Sequence, residues 1–108
     1  NHQLEIKIDS RIQEINFGKF EGIVNNEEFQ YYKQNHGLHY PGGESLFQVV
    51  YRVYSFLEEL ENKYPDKNIL VVCHGGIVRV IHSYFQDMTN EELMTWLPEN
   101  CCIQSYEK

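Results

Sequence analysis

The run Ile69-Leu70-Val71-Val72-Cys73-His74-Gly75-Gly76-Ile77-Val78-Arg79 decides how this chain is read. Residues 69–73 are apolar and rich in β-branched side chains, the composition of a strand buried on both faces. The run stops at a His and two glycines. Over residues 76–85 the apolar side chains return at helical spacing. A strand that ends at a His-Gly step aims the imidazole off the carboxyl end of a sheet, where open α/β sheets bind ligands. The glycines let a substrate approach the backbone, and the helix behind them offers free N–H groups to an anion. Yet no second His has a comparable setting and no Arg cluster waits for a phosphate. The stretch reads as half of an active site.

Working outward, residues 4–8 (Leu-Glu-Ile-Lys-Ile) alternate and suggest a short edge strand. Residues 10–22 are turn-rich and end in Phe17-Gly18-Lys19-Phe20-Glu21-Gly22, a loop packed down by its aromatic rings. Residues 25–34 are predicted as a helix, with Phe29 and either Tyr32 or Tyr31 inward. Residues 35–43 (Asn-His-Gly-Leu-His-Tyr-Pro-Gly-Gly) form a loop. Ser45 and Gln48 then have capping-box spacing and open the strongest helix. Leu46, Val49, Val50, Val53, Phe56, Leu57 and Leu60 make its apolar stripe, and Pro65 stops it. Thr89 and Glu92 repeat the capping-box spacing and open a short helix to about Trp96, before Pro98. Residues 101–106 suggest a last strand.

Strand, helix and strand joined in this way imply an α/β fold with parallel pairing and right-handed crossovers. Parallel sheets are covered on both faces and hold several strands. Two convincing strands and one weak one are too few for so many helices, so the expectation is a sheet with strands missing, hence a truncated domain. Open edges and bare apolar faces would then be covered by self-association, most simply as a dimer.

Composition narrows the function. Nine Lys plus Arg against 16 Asp plus Glu give a net charge of −7, which repels nucleic acid and anionic lipid. Neither is expected as a partner. A small anionic substrate is not excluded, because local groups outweigh net charge inside a pocket. No apolar run approaches the ~20 residues of a membrane span, and no signal peptide opens the sequence, so a cytoplasmic location is expected. Cys73, Cys101 and Cys102 are an odd number without zinc spacing and read as free thiols. His36 and His39, even with His2, have no fixed ligand geometry and read as loop histidines rather than a metal site.

Four motifs together resemble the histidine phosphatase (phosphoglycerate mutase-like) superfamily. They are Arg11-Ile12-Gln13-Glu14-Ile15-Asn16-Phe17-Gly18-Lys19-Phe20-Glu21-Gly22, Pro41-Gly42-Gly43-Glu44-Ser45 with Arg52, Cys73-His74-Gly75-Gly76 with Arg79, and Asn100-Cys101. They stand in the family's order and span nearly the whole chain. The resemblance implies a three-layer α/β/α domain with a mainly parallel sheet, of which residues 1–108 would be the C-terminal part. The family's opening Arg-His-Gly strand, whose His becomes phosphorylated, does not occur in this sequence.

By the same resemblance, Glu14 is the proton donor to the leaving oxygen, and His74 is the second phosphate-pocket His. The Gly75 N–H is a further plausible donor to the phosphoryl oxygens. Such chemistry needs a nucleophile, a proton donor and positive charge or N–H groups around the phosphate. A carboxyl beside a phosphate is disfavoured as an anion, which raises its pKa toward the working range. The implied function is cofactor-independent hydrolysis of a small phosphorylated metabolite through a phosphohistidine. Mutase-type phosphoryl transfer is the near alternative, and a non-catalytic binding module lacking the nucleophile is the third. For the 108 residues alone no turnover is expected. The plainer readings are that Glu14 is a solvated loop carboxylate, His74 a bonded core histidine, Glu44 and Ser45 a helix cap, and Arg79 a structural tie.

Overall fold

The computed structural model describes residues 6–22, 26–96 and 106. Four helices stand in chain order: α1 (Glu27–Gln34), α2 (Leu46–Lys63), α3 (Gly75–Phe85) and α4 (Asn90–Thr95). Two single 3-10 turns, Ser10–Ile12 and Gly18–Phe20, precede them.

Local chemistry accounts for the helix starts. At α2, Ser45 accepts from the Gln48 N–H, and the Gln48 side chain accepts from the Ser45 N–H, closing the capping box. Thr89 and Glu92 do the same for α4. Asn26 caps α1 by accepting from the Phe29 N–H. The core is the contact between α2 and α3. Val49, Val53, Phe56 and Leu57 pack against Ile77, Val80 and Ile81, all of them buried. Each fully buried aliphatic side chain contributes roughly 1.5–3 kcal/mol. This one interface therefore dominates the stability of the described residues.

The α/β expectation is corrected here. Among the described residues there are helices and no strand, so the parallel sheet and the three-layer arrangement are absent from them. Residues 69–73 have strand composition but no ladder partner among the described residues. Leu70 is 77% and Val72 81% exposed, where a central strand would bury both. Of residues 4–8, the described part is irregular, with Ile6 and Ile8 exposed. The strand expected over residues 101–106 lies outside the described residues apart from Tyr106. β-Propensity measures how well a side chain packs on a neighbouring strand, and without that neighbour it does not produce a strand. The helix boundaries come out close to expectation, with α3 starting one residue earlier, at Gly75.

A second, aromatic cluster joins α1 to the loops on either side. Phe17, Phe20, Phe29, Tyr32 and Tyr40 meet in a chain of edge and tilted ring contacts at centroid distances between 5.1 and 6.2 Å. Tyr32, not Tyr31, is the inward residue of the pair; Tyr31 is 58% exposed.

Candidate active site

Two loops build the site and are bonded to each other before they reach it. The Lys19 N–H donates to the Pro41 carbonyl (2.9 Å) and the Glu44 N–H to the Asn16 carbonyl (2.8 Å). The Asn16 N–H in turn donates to Glu44 Oε1 (2.9 Å). The loops approach closely because glycine stands at the crossing. Gly18 holds φ +59°, and a Cβ there would overlap the Pro41 carbonyl.

Arg52, from the second turn of α2, locks this assembly. Its Nε donates to Glu44 Oε2 (2.9 Å) and its Nη2 to Glu44 Oε1 (3.0 Å), a two-pronged pairing. Its Nη1 donates to the Arg11 carbonyl (2.7 Å) and its Nη2 also to the Glu14 carbonyl (3.4 Å). Burial alone pushes the Glu44 carboxyl up. The hydrogen bonds from Arg52 and the Asn16 N–H, with the guanidinium charge, outweigh burial and hold it below the ordinary range. Glu44 is thus more than a helix cap. It fixes the guanidinium that holds the backbone of Glu14.

The Glu14 side chain ends at the first turn of α3. A Cβ on Gly76 would stand 2.8 Å from Glu14 Oε1 and 3.4 Å from its Cδ, so the carboxylate occupies space that only glycine leaves open. Glu14 Oε1 also accepts from the Ile15 N–H (2.9 Å). His74 is the N-cap residue of α3 and its imidazole makes no capping bond. Its carbonyl accepts from the N–H groups of Ile77 (3.0 Å) and Val78 (2.9 Å). His74 and Gly75 are exposed; His74 stands directly before the turn that Glu14 touches and Gly75 opens it. The positive end of the helix macrodipole therefore faces a half-buried carboxylate.

Glu14 and Gly76 share a cavity of about 230 Å³ with Phe17, Phe29, Tyr32 and Tyr40 from the aromatic cluster. Lys33, His36 and Arg79 also line it, whereas His74 and Gly75 are not part of its wall. The structure thus brings Glu14 to the first turn of α3, which His74 caps and Gly75 opens, and leaves those two candidates outside the cavity wall. Arg79 is both structural and cavity-lining: its Nε donates to the Trp96 carbonyl (2.7 Å). Cys73 is half-buried, and burial together with the Glu14 charge pushes its thiol up, the opposite of an activated nucleophile. His82 stacks on Trp96 (4.0 Å between centroids) and its Nδ1 pairs with the Tyr106 hydroxyl (2.7 Å), consistent with a packing role.

The family model of the histidine phosphatase superfamily, branch 1, matches residues 1–107. The chain belongs to that superfamily. A 6-phosphofructo-2-kinase/fructose-2,6-bisphosphatase of Aquarana catesbeiana is 40% identical over 68 residues, covering 62% of this chain and 14% of that protein. A probable fructose-2,6-bisphosphatase of Schizosaccharomyces pombe is 34% identical over 80 residues, 74% of this chain and 17% of that protein. Phosphoserine phosphatase 1 of Hydrogenobacter thermophilus is 31% identical over 87 residues, 73% of this chain and 41% of that protein. The chain spans well under half the length of these relatives.

The roles of Arg52 and Glu44 were present in the sequence only as part of a motif. The helix-start motif does not reveal that its Arg reaches back to two carbonyls far upstream.

Proposed function

We propose that the protein containing this chain hydrolyses a small phosphorylated metabolite through a phosphohistidine intermediate. The observation that carries the reading is the Glu14 carboxylate held against Gly76, in the first turn of the helix that His74 caps. A proton donor is useful only where a leaving oxygen can reach it, and a helix N-terminus is where a phosphoryl group is favoured.

In this reading Glu14 protonates the leaving oxygen as the P–O bond breaks, then takes a proton from the water that attacks the phosphohistidine. His74 and the Gly75 N–H donate to the phosphoryl oxygens as their charge builds. The nucleophilic imidazole comes from a segment outside these 108 residues. The names of the relatives, fructose-2,6-bisphosphatase and phosphoserine phosphatase, favour hydrolysis over mutase-type transfer. The isolated 108 residues are expected to be inactive because none of their histidines stands in an Arg-His-Gly step.

The test is to quench the full-length protein during turnover of a ³²P-labelled phosphomonoester in EDTA. A trapped, acid-labile and base-stable phosphoryl adduct is the expected result. Hydrolysis without such an adduct, or hydrolysis abolished by EDTA, would refute the reading. His74→Ala should slow formation of the adduct strongly.

A further inference from the structure

Trp96, the residue that follows α4, is gripped twice from one face of α3. Arg79 Nε donates to its carbonyl (2.7 Å). The His82 ring stacks on its indole, with 4.0 Å between centroids and 17° between planes. Arg79 and His82 are three residues apart on α3, so they are neighbours on the same face. Trp96 is the C-cap of α4, and its N–H still donates to the Glu92 carbonyl (2.8 Å). Its own backbone is already extended, at φ −64° and ψ 131°. That conformation turns the Trp96 carbonyl away from the helical direction, where the guanidinium meets it.

The stack is braced in turn. His82 Nδ1 pairs with the Tyr106 hydroxyl (2.7 Å), and Phe85 stacks on the Tyr106 ring at 4.8 Å between centroids. An imidazole fixed at its edge and its face fixes the indole that lies on it.

What this arrangement positions is a charge. Arg79 lines the cavity that holds Glu14, and among the described residues Trp96 is the one hydrogen-bond partner of its side chain. Burial pushes the guanidinium below its ordinary range and the Glu14 charge opposes this, so the cation is within electrostatic reach of that carboxylate. A long side chain gives up rotamer freedom when it is ordered, and a cation pinned beforehand acts on developing charge without that cost. Packing α4 onto α3 does not require a carbonyl aimed at a cavity-lining cation.

We propose that the Trp96–His82 stack is a positioning device, which holds the Trp96 carbonyl so that Arg79 keeps its positive charge beside Glu14, where negative charge builds as the P–O bond breaks. The inference rests on the phosphatase reading above and adds Trp96 and His82 to it as positioning residues. Neither ring is part of the cavity wall, and both act through Arg79.

The experiment is a double-mutant cycle on the full-length protein, read as kcat/KM for 4-nitrophenyl phosphate. Arg79→Met should lower kcat/KM at least tenfold. Trp96→Ala and His82→Ala leave the carbonyl in the chain and remove one half of the stack; each should lower it at least fivefold. Trp96→Phe and His82→Phe keep a flat ring and should restore most of the loss. In the Arg79→Met background Trp96→Ala should cost less than a further twofold, because the charge it positions is gone. Rings that only packed the fold would cost the same factor with or without Arg79, and that additivity overturns the inference. Wild-type kcat/KM in Arg79→Met or in Trp96→Ala overturns it as well. Thermal melts identify a variant that does not fold, and Trp96→Leu, which keeps apolar bulk without a ring, then takes the place of Trp96→Ala in the cycle. If the wild type hydrolyses no 4-nitrophenyl phosphate, the phosphatase reading itself fails and this inference with it.

Discussion

The Glu14 carboxylate and Gly76 are in contact across the site, and the contact exists only because residue 76 has no Cβ. Gly76 lies in the first turn of α3, where its N–H is one of the free donors at the helix start. The glycine therefore serves the carboxylate more than the helix.

Substitution at Gly76 separates activity from stability. In Gly76→Ala the new Cβ meets the far end of a flexible side chain, so Glu14 swings aside at little energetic cost. Alanine also favours the helix by about 0.5–1 kcal/mol over glycine. The full-length variant should melt at or above the wild-type temperature while kcat falls at least tenfold. A variant with normal kcat would show that the position of Glu14 against α3 is irrelevant to turnover.

Arg52 should behave oppositely, with stability and activity lost together. It satisfies Glu44 and two backbone carbonyls, and removing it leaves a half-buried carboxylate unpaired. Arg52→Met should cost about 2–4 kcal/mol in denaturant unfolding. Arg52→Lys should rescue only part, because an ammonium cannot reproduce the planar fork. Loss of less than about 0.5 kcal/mol in Arg52→Met would mean the loops hold Glu14 without it.

The same pair sets an acid limit. The folded Glu44 carboxyl lies below its ordinary value, so its contribution is fully present above the unfolded carboxylate range, near pH 4.3, and fades as pH falls through the lower folded value. Melting temperature should drop on acidification below about pH 4.3, and Glu44→Gln should flatten that part of the profile. An unchanged acid slope in Glu44→Gln would assign the acid sensitivity elsewhere.

The 108 residues by themselves should self-associate. Leu70, Val72, Ile6 and Ile8 are strongly exposed, and Leu70 and Val72 stand on an irregular segment whose backbone has no ladder partner among the described residues. Light scattering should give at least a dimer for the isolated chain, and Leu70→Lys with Val72→Lys should shift it to monomer. A wild-type monomer at tens of micromolar would contradict this.

What the sequence made legible was local. The capping boxes at Ser45 and Thr89, the stripe on α2 and the stop at Pro65 each depend on residues within a turn or two of one another, and each stands where expected. The sheet did not follow, because residues 69–73 carry strand composition without, among the described residues, the partner that turns composition into a ladder. The site was legible in part. Glu14 was singled out by its motif, but its seat against Gly76 and the reach of Arg52 to the Arg11 and Glu14 carbonyls are contacts between distant segments.

A carboxyl at Glu14 that protonates the leaving oxygen makes the cost of losing it depend on the leaving group. Full-length wild type and Glu14→Gln should be compared on an alkyl phosphate, whose alkoxide needs a proton to depart, and on 4-nitrophenyl phosphate, whose phenolate scarcely does. General-acid catalysis contributes about 10²–10⁴-fold, so the alkyl substrate should lose at least 10²-fold in kcat/KM and 4-nitrophenyl phosphate at least tenfold less than that. Equal losses on both substrates, or no loss on either, would contradict the assignment.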